Sequence, residues 1–297
     1  MEISTQGNDL IKWAECFNNV IWADEIPWYF SRGLLEPLAM PHMIKKLNHE
    51  KIRDAVSKNK ALLAYWSDQW DSKPSEWWWT CCDNKQYDIE NIQNQRARRG
   101  IRKGLRECSV RRVEPKEFIK LTYDIYTSNA ESYDQSFRLS TDQYKEFILR
   151  RSKYDGFELW IAFVNQKPAA FSTCILIDNA VSLGSTKSNP DLHKHAPNYA
   201  LFYHITKHYL NERGVSYVNN GHRTLLHTTS IHDFLIRMDY RKIYCRLNIE
   251  LSKLSSLISL FSTGRSAQII KYVLKLFPGK IEKFNGFNQL VEISKTF

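Results

Sequence analysis

Three short apolar runs in the second half of the chain are separated by polar, turn-forming residues. They lie between residues 157 and 187, and the breaks fall at 165–168 and 178–179. Strand-length apolar runs joined by such short polar segments are typical of antiparallel strands connected by tight turns. The pattern therefore predicts a three-stranded antiparallel meander.

Helical patterns lie on both sides of this meander. Apolar residues recur every three or four positions in 115–129, 141–154 and 198–213, and Gly214 follows the last segment. This spacing places them on one face of a helix, and glycine is a common helix terminator. The remaining predicted elements are strands at 108–113, 215–220 and 242–251 and a short helix capped by Ser230.

The first 105 residues are less regular and rich in aromatic side chains. In the segment 61–83 two apolar runs flank residues 71–74, which is the pattern of a hairpin. We find no internal repeat in the sequence. We expect an N-terminal extension or small lead-in domain at 1–105, the main domain at 106–252, and a helical, amphipathic segment at 253–297 that packs on the core or docks on an anionic membrane.

Composition limits the kind of protein this is. Hydrophobic residues make up 43% and charged residues 25% of the 297, as in a soluble globular protein. No apolar stretch reaches the ~20 residues of a membrane helix, and no signal peptide is visible, so we expect a cytoplasmic protein. The 42 Lys and Arg against 32 Asp and Glu give a net charge of +10, which favours anionic partners.

Several common catalytic motifs do not occur in the sequence. It contains no G-x-S-x-G, no P-loop and no D-x-D, and its six cysteines lack CxxC spacing. This argues against hydrolase, nucleotide triphosphatase, metal-dependent glycosyltransferase and zinc-site readings. His204 and His208 are one helical turn apart, but they lie beside an apolar stripe, so we expect a core or interface role and no metal.

The predicted order of elements resembles the acyltransferase fold of the GNAT superfamily. That family's phosphate-binding loop, P-x-x-[QR]-x-x-G-x-[GA], falls here on Pro190, His193, Ala196 and Asn198. A more specific resemblance is to the Fem-type branch of peptidoglycan-bridge aminoacyltransferases. It is carried by the segments "RARRGIRKGLRECSVRRV", "GSTKSNPDLHKHAPNYALFYHITKHYLNERG" and "YVNNGHRTLLHTTSIHDFLIRMDYRKIYCRL".

The resemblance implies an α/β, GNAT-like fold, with a mixed, mostly antiparallel sheet flanked by helices. It implies an N-acyltransferase that moves an acyl group from acyl-coenzyme A or another thioester to an amine of an amino sugar or cell-envelope precursor. Two alternatives stay open, which are a Fem-type enzyme using aminoacyl-tRNA and a catalytically inactive binding module. The sequence leaves the oligomeric state open.

The start of the helix at residue 197 is the expected place for an anionic donor, because backbone N–H groups and the helix dipole attract negative charge there. The residues predicted to contact the donor are Lys187, His193, Lys194, Asn198 and Tyr199.

Amide formation needs a deprotonated amine and fixed donors for the developing oxyanion. We expect Asn219 and Asn220 to position the reactants and His222 to act as the base, with a surface histidine as the alternative. Glu131, near Tyr133, lies where the superfamily places acceptor-binding residues.

Two further features have both a functional and a structural interpretation. The first is a basic cluster, which is either a contact for tRNA or lipid pyrophosphate or a solvated helix face. It consists of Arg96, Arg98, Arg99, Arg102, Lys103 and Arg106. Trp77, Trp78 and Trp79 point alternately to two sides of a strand, so some are core and one exposed ring is a candidate for stacking on a sugar.

Overall fold

The computed structural model describes residues 5–130, 138–224, 231–253, 255–256, 287 and 289–296. The chain divides into two compact units. The first unit comprises Met1–Cys16, Thr80–Gly221 and Ile231–Lys242, and the second comprises Phe17–Trp79, His222–Ser230 and Ile243–Phe297. The domain boundaries predicted from the sequence, at 105/106 and 252/253, concern independent folding and stay a prediction.

A seven-stranded sheet is the centre of the first unit. Its strands are β5 Trp78–Cys82, β6 Ser109–Arg112, β7 Phe157–Val164, β8 Lys167–Ile177, β9 Ala180–Ser188, β10 Tyr217–His222 and β11 Arg241–Tyr244. They are arranged in the order β11-β5-β10-β9-β8-β7-β6. The helices are α1 Thr5–Glu15, α3 Gln95–Glu107, α4 Pro115–Ala130, α5 Thr141–Arg151, α6 Pro197–Lys207 and α7 Ile231–Arg237.

The predicted meander is confirmed. β7 pairs antiparallel with β8, and β8 pairs antiparallel with β9. Asn165 and Gln166, and then Asp178 and Asn179, take positive φ values in the two turns. Two consecutive residues with positive φ are characteristic of the type I′ turn, whose twist matches that of the strands it joins.

The second unit contains a five-stranded sheet in the order β1-β2-β3-β4-β12. Its helix α2 begins after Asn48, whose side chain accepts hydrogen bonds from the backbone N–H groups of Glu50 and Lys51. Such a cap satisfies amide groups that the first turn of a helix leaves without partners. The elements are β1 Val20–Ala23, β2 Ile26–Ser31, β3 Leu34–Pro37, α2 His49–Lys58, β4 Leu63–Asp68 and β12 Arg246–Leu251.

The two units repeat one topology, although the sequence shows no repeat. In the first, the antiparallel strands β7, β8 and β9 lead through α6 to β10, which runs parallel to β9. In the second, the antiparallel strands β1, β2 and β3 lead through α2 to β4, which runs parallel to β3. The repeat is therefore a property of the fold that the sequence does not display.

Two predictions about the strands are wrong. The runs in 61–83 do not form a hairpin, because β4 pairs with β3 and β12 while β5 belongs to the other sheet. The segment 242–251 is not one closing strand, because Cys245 separates β11 from β12 and these strands join different sheets. Strand propensity and turn residues indicate that a segment is extended, but the pairing partner depends on long-range contacts.

Candidate active site

A parallel strand pair and a β-bulge mark the centre of the first unit. β10 pairs with β9 through Tyr217, Val218 and Asn219, and β10 continues three residues beyond this pairing. On β9 an extra residue is accommodated near Gly184, since Ser172 pairs with Thr186 while Cys174 pairs with Leu183. Bulges redirect backbone groups and are frequent beside functional sites.

Asn219 ties the two parallel strands together. Its side chain is completely buried, its Nδ2 donates to the Val181 carbonyl at 3.1 Å, and its Oδ1 accepts from the Ser182 hydroxyl at 3.2 Å. The same oxygen accepts from the Gly221 backbone N–H at 3.0 Å. Asn219 therefore fixes the end of β10, while its neighbour Asn220 is half-buried at the point where the strand leaves β9.

A hydrogen-bonded set organises the loop between β9 and α6. The Ser188 hydroxyl lies 2.8 Å from His193 Nε2 and accepts from Asn198 Nδ2 at 3.2 Å. Two of the predicted donor contacts, His193 and Asn198, therefore come together on one serine. Ser188 was missed by sequence reasoning, because nothing in the pattern distinguishes it from other polar residues in this loop.

Several backbone N–H groups of this loop already donate hydrogen bonds to other groups of the loop. The N–H groups of Asp191 and Leu192 donate to Asn189, and that of Ala196 donates to the His193 carbonyl. Helix α3 packs closely against the loop at Gly104, since a Cβ added to this residue would lie only 2.7 Å from the Ala196 carbonyl oxygen. A phosphate at this loop would therefore be contacted mainly by side chains, in contrast to the glycine-rich cradle of the family pattern.

The other predicted donor contacts differ in their surroundings. Lys194 is exposed to solvent, whereas Lys187 is half-buried on β9 and burial lowers its pKa. The ring of Tyr199 packs against Phe234 with centroids 4.8 Å apart, and it covers Gly100 of α3. Lys194 is thus accessible to an anion, while Tyr199 helps to join α3, α6 and α7.

His222, the predicted base, lies in an aromatic cluster of the second unit. Its imidazole stacks on Trp77 with ring centroids 4.6 Å apart and an interplanar angle of 28°. Trp79 and Tyr65 stand nearly perpendicular to it, at angles of 82° and 85°. Both indole N–H groups, those of Trp77 and Trp79, donate to the Ser67 hydroxyl, so their rings are fixed.

The hydrogen bonding of His222 sets its tautomer. Nδ1 lies 2.8 Å from the Arg223 backbone carbonyl, and a carbonyl can only accept, so Nδ1 carries the proton. The lone pair is therefore on Nε2, which has no hydrogen-bond partner among the residues that the structure describes. Burial lowers the pKa of His222, although the bond to the Arg223 carbonyl opposes this effect. A neutral imidazole is the form that accepts a proton.

Tyr65 and Glu36 add polar groups to the same cluster. The Tyr65 hydroxyl donates to the Glu36 carboxylate, and burial raises the pKa of this carboxyl group. Sequence reasoning missed both residues, since their place beside His222 depends on the pairing of β2, β3 and β4. Glu131 and Tyr133 lie outside the described residues.

His204 and His208, the two histidines one helical turn apart, both take part in side-chain packing. His204 and His208 both pack against the ring of Trp160, at centroid distances of 5.4 and 5.2 Å, and His208 also bonds Glu212. In the described part of the chain, no group of three His, Cys, Asp or Glu side chains is arranged to hold a metal ion.

A family model for the acetyltransferase (GNAT) domain matches residues 93–224. This range begins just before α3 and ends just after β10, so it includes the bulge, the loop and the strand end described above. This segment of the chain, somewhat less than half of it, therefore matches a GNAT acetyltransferase domain. The domain match supports an N-acyltransferase, and the predicted fold class is confirmed. A search of curated protein sequences gave no significant match.

Solved structures similar to this protein share its fold over most of their length. FemX superposes with a TM-score of 0.57 at 10% identity, covering 89% of this chain and 99% of FemX. The C-terminal domain of a putative lysylphosphatidylglycerol synthetase from Agrobacterium fabrum gives 0.54 at 10% identity, covering 86% and 90%. L-PGS from Bacillus licheniformis gives 0.54 at 11% identity, covering 94% and 91%. The predicted likeness to Fem-type proteins is therefore confirmed at the level of the fold.

Proposed function

We propose that this GNAT enzyme transfers an acyl group from an acyl-coenzyme A or related thioester to an amine of an amino sugar or cell-envelope precursor. The observation that carries this proposal is the bulged β9 paired in parallel with β10, which continues three residues beyond this pairing. A bulge and a departing strand end make backbone groups available to an acyl carbonyl.

In the proposed reaction the amine nitrogen attacks the thioester carbonyl carbon. The C–N bond forms, the C–S bond breaks, and the nitrogen loses one proton. His222 Nε2 accepts that proton, because Nδ1 already carries one. The proton then passes to the departing thiolate or to water. General-base catalysis of this kind contributes about 10²- to 10⁴-fold in rate.

The two asparagines have different roles in this proposal. Asn219 is a positioning residue, since its buried amide holds β9, β10 and the Gly221 backbone together. Asn220 is half-buried next to it, and we assign its side-chain amide to the carbonyl oxygen of the donor. Removing one such oxyanion donor costs about 10²- to 10³-fold in kcat in well-studied enzymes.

The donor's anionic carrier is assigned to the loop before α6. Lys194 is exposed there, and His193 and Asn198 are held by Ser188 beside it. The net charge of +10 supports an anionic carrier without distinguishing among its kinds. The acceptor class is supported only by the names of structural neighbours, FemX and lysylphosphatidylglycerol synthetase.

Aminoacyl-tRNA is the second candidate donor, and the surface of α3 favours it. Arg96, Arg99 and Lys103 are exposed and lie along one side of this helix, at the spacing of successive turns. They make no ion pair within the described residues. Such a stripe can contact successive phosphates, and the resulting binding weakens strongly with salt.

The experiment measures thiol release from acetyl-, succinyl- and palmitoyl-coenzyme A in the presence of a panel of primary amines, with thermal shifts measured in parallel. We expect amine-dependent release and a stabilised protein, because a ligand bound only to the native state at about 100 times its Kd adds about 2.7 kcal/mol. Asn220→Ala should lower kcat, and Lys194→Ala with Asn198→Ala should abolish the shift caused by coenzyme A.

Lys145→Ala, which removes an exposed lysine of α5, is the matched control for the loop variants. Stabilisation by bulk tRNA alone, chiefly at low salt, would replace the thioester with aminoacyl-tRNA as donor. Binding without any turnover, unaffected by Asn220→Ala, would favour the inactive binding module. No described helix has the length and apolarity needed to cross a membrane.

A further inference from the structure

The aromatic side chains of the second unit form a continuous set that acyl transfer alone does not explain. From His222 the contacts run through Trp79 to Trp70, with centroids 5.6 and then 6.4 Å apart, and on to His42 at 6.5 Å from Trp70. Trp70 and Trp79 are both half-buried, so each ring is in part exposed. We refer to Tyr65, Trp70, Trp77, Trp79 and His222 as the aromatic cluster.

The rings of this cluster are fixed before any ligand arrives. Ser67 accepts the indole N–H of Trp77 at 2.8 Å and that of Trp79 at 2.9 Å. Trp77 is buried, whereas the half-buried Trp79 offers a ligand part of its apolar surface and no hydrogen-bond donor. A preformed apolar wall with a few polar groups at its edge is the usual composition of a small-molecule site.

The polar groups at the edge of the cluster are an acceptor and a hydroxyl–carboxyl pair. His222 presents the lone pair of Nε2, and Tyr65 is bonded to Glu36. A purely aliphatic chain placed against Nε2 would leave this acceptor without a partner, and burying an unpaired polar group costs free energy. The ligand should therefore combine an apolar face with hydroxyl and amine groups.

The ring orientations do not suit a simple cation. An aromatic cage directs several open ring faces at one positive charge. Here the imidazole of His222 covers the face of Trp77 at 4.6 Å, and the planes of Trp79 and Tyr65 are perpendicular to that imidazole. Trp70 and Trp79 meet at 62°, which forms a corner and not a cage.

We propose that the aromatic cluster is a carbohydrate subsite that binds an amino sugar through the C–H face of its pyranose ring on Trp70 and Trp79, with the sugar amine directed to Nε2 of His222. A pyranose ring has both an apolar face and an edge of hydroxyl groups, so it matches the wall and its polar rim. This inference rests on the proposed function, because it names the acceptor of that reaction.

The test is a titration of intrinsic tryptophan fluorescence with three oligosaccharides of equal length, which are chitosan trimer, chitin trimer and cellotriose. The chitosan trimer should change the emission, and cellotriose, which has no amine, should bind more weakly. Trp70→Leu and Trp79→Leu should each weaken chitosan binding about tenfold, the loss expected for one stacking contact.

Trp22→Leu is the matched control, because Trp22 is an exposed tryptophan on β1 of the same unit, 54% accessible to solvent. It should leave the affinity unchanged, and circular dichroism of every variant checks folding. No response to any sugar, or competition by tetramethylammonium at Trp70 and Trp79, would overturn the carbohydrate subsite. Acyl transfer to another amine without sugar binding would overturn this inference alone, whereas sugar binding without turnover would overturn only the proposed function.

Discussion

His222 is held in a single tautomer by a backbone carbonyl and is packed between aromatic rings. This arrangement keeps Nε2 as the proton acceptor, and burial lowers the pKa of the imidazole. An ordinary histidine has a pKa of about 6.5 and is partly protonated near neutral pH. A lowered pKa means that the neutral, active form persists to more acidic pH.

We therefore expect the acidic limb of the kcat/KM profile to lie below about pH 6.5. His222→Gln should remove this limb and lower kcat/KM by about 10²- to 10³-fold. The control is His208→Gln, which changes a histidine bonded to Glu212 and should leave the limb in place. An acidic limb above pH 6.5, or one that persists in His222→Gln, would show that another group is the base.

Asp239 and His222 show which features of the structure could be predicted from the sequence and which could not. Asp239 lies in the last of the three segments that resemble Fem-type proteins, and its φ of +70° is the conformation that glycine favours. Its carboxylate accepts from Asn84 Nδ2 at 2.9 Å. Aspartate is one of the few residues other than glycine that tolerate this conformation, so a turn at this position is compatible with the sequence. The partners of His222 could not be predicted, since they come from strands distant in sequence.

At the scale of elements, the contact between α3 and α6 is the closest approach of two helices around the donor loop. A Cβ on Gly104 would lie 2.7 Å from the Ala196 carbonyl oxygen and 2.9 Å from the Ala200 backbone nitrogen. Backbone atoms at the start of α6 cannot move aside without shifting the loop. The glycine therefore sets the distance between the two helices.

Gly104→Ala should lower the free energy of unfolding by about 1–3 kcal/mol, the usual cost of overpacking, measured by urea denaturation. In an unconstrained helix the same change would stabilise by about 1 kcal/mol. Gly100→Ala is the matched comparison, because the three atoms nearest to its Cβ would all belong to the half-buried ring of Tyr199, a side chain and not backbone. We expect a smaller loss there, and equal losses would contradict the tight backbone contact.

Local patterns predicted the elements of the first unit better than those of the second. The capping box at Ser140 and the turn residues 178–179 act on their immediate neighbours, so they can be recognised in the sequence. By contrast, β4 is bounded by turn residues on one side but pairs with β12, whose residues lie 178 to 188 positions later in the chain, from Asp68↔Arg246 to Leu63↔Leu251. Cys245 separates two strands with different partners, and no local signal marks that change.

At the scale of the whole molecule, charge is the property most directly given by composition. The net charge of +10 attracts polyanions over long distances, but only some cations are available to hold them. Arg96, Arg99 and Lys103 are exposed on α3 and make no ion pair in the described part of the chain. Arg111, Arg150 and Arg241, in contrast, bond Glu117, Glu146 and Asp83.

We expect the three cations of α3 to dominate binding to bulk tRNA, because none of them forms an ion pair within the described residues. Replacing Arg96, Arg99 and Lys103 with glutamine should reduce the slope of log K against log salt by about 2 to 3, from the counterions that three phosphate contacts release. The same replacement at Arg111, Arg150 and Arg241 changes the net charge equally but should change the slope little. Equal effects in the two triple variants would mean that RNA responds to overall charge, and α3 would then not be a defined nucleic-acid contact.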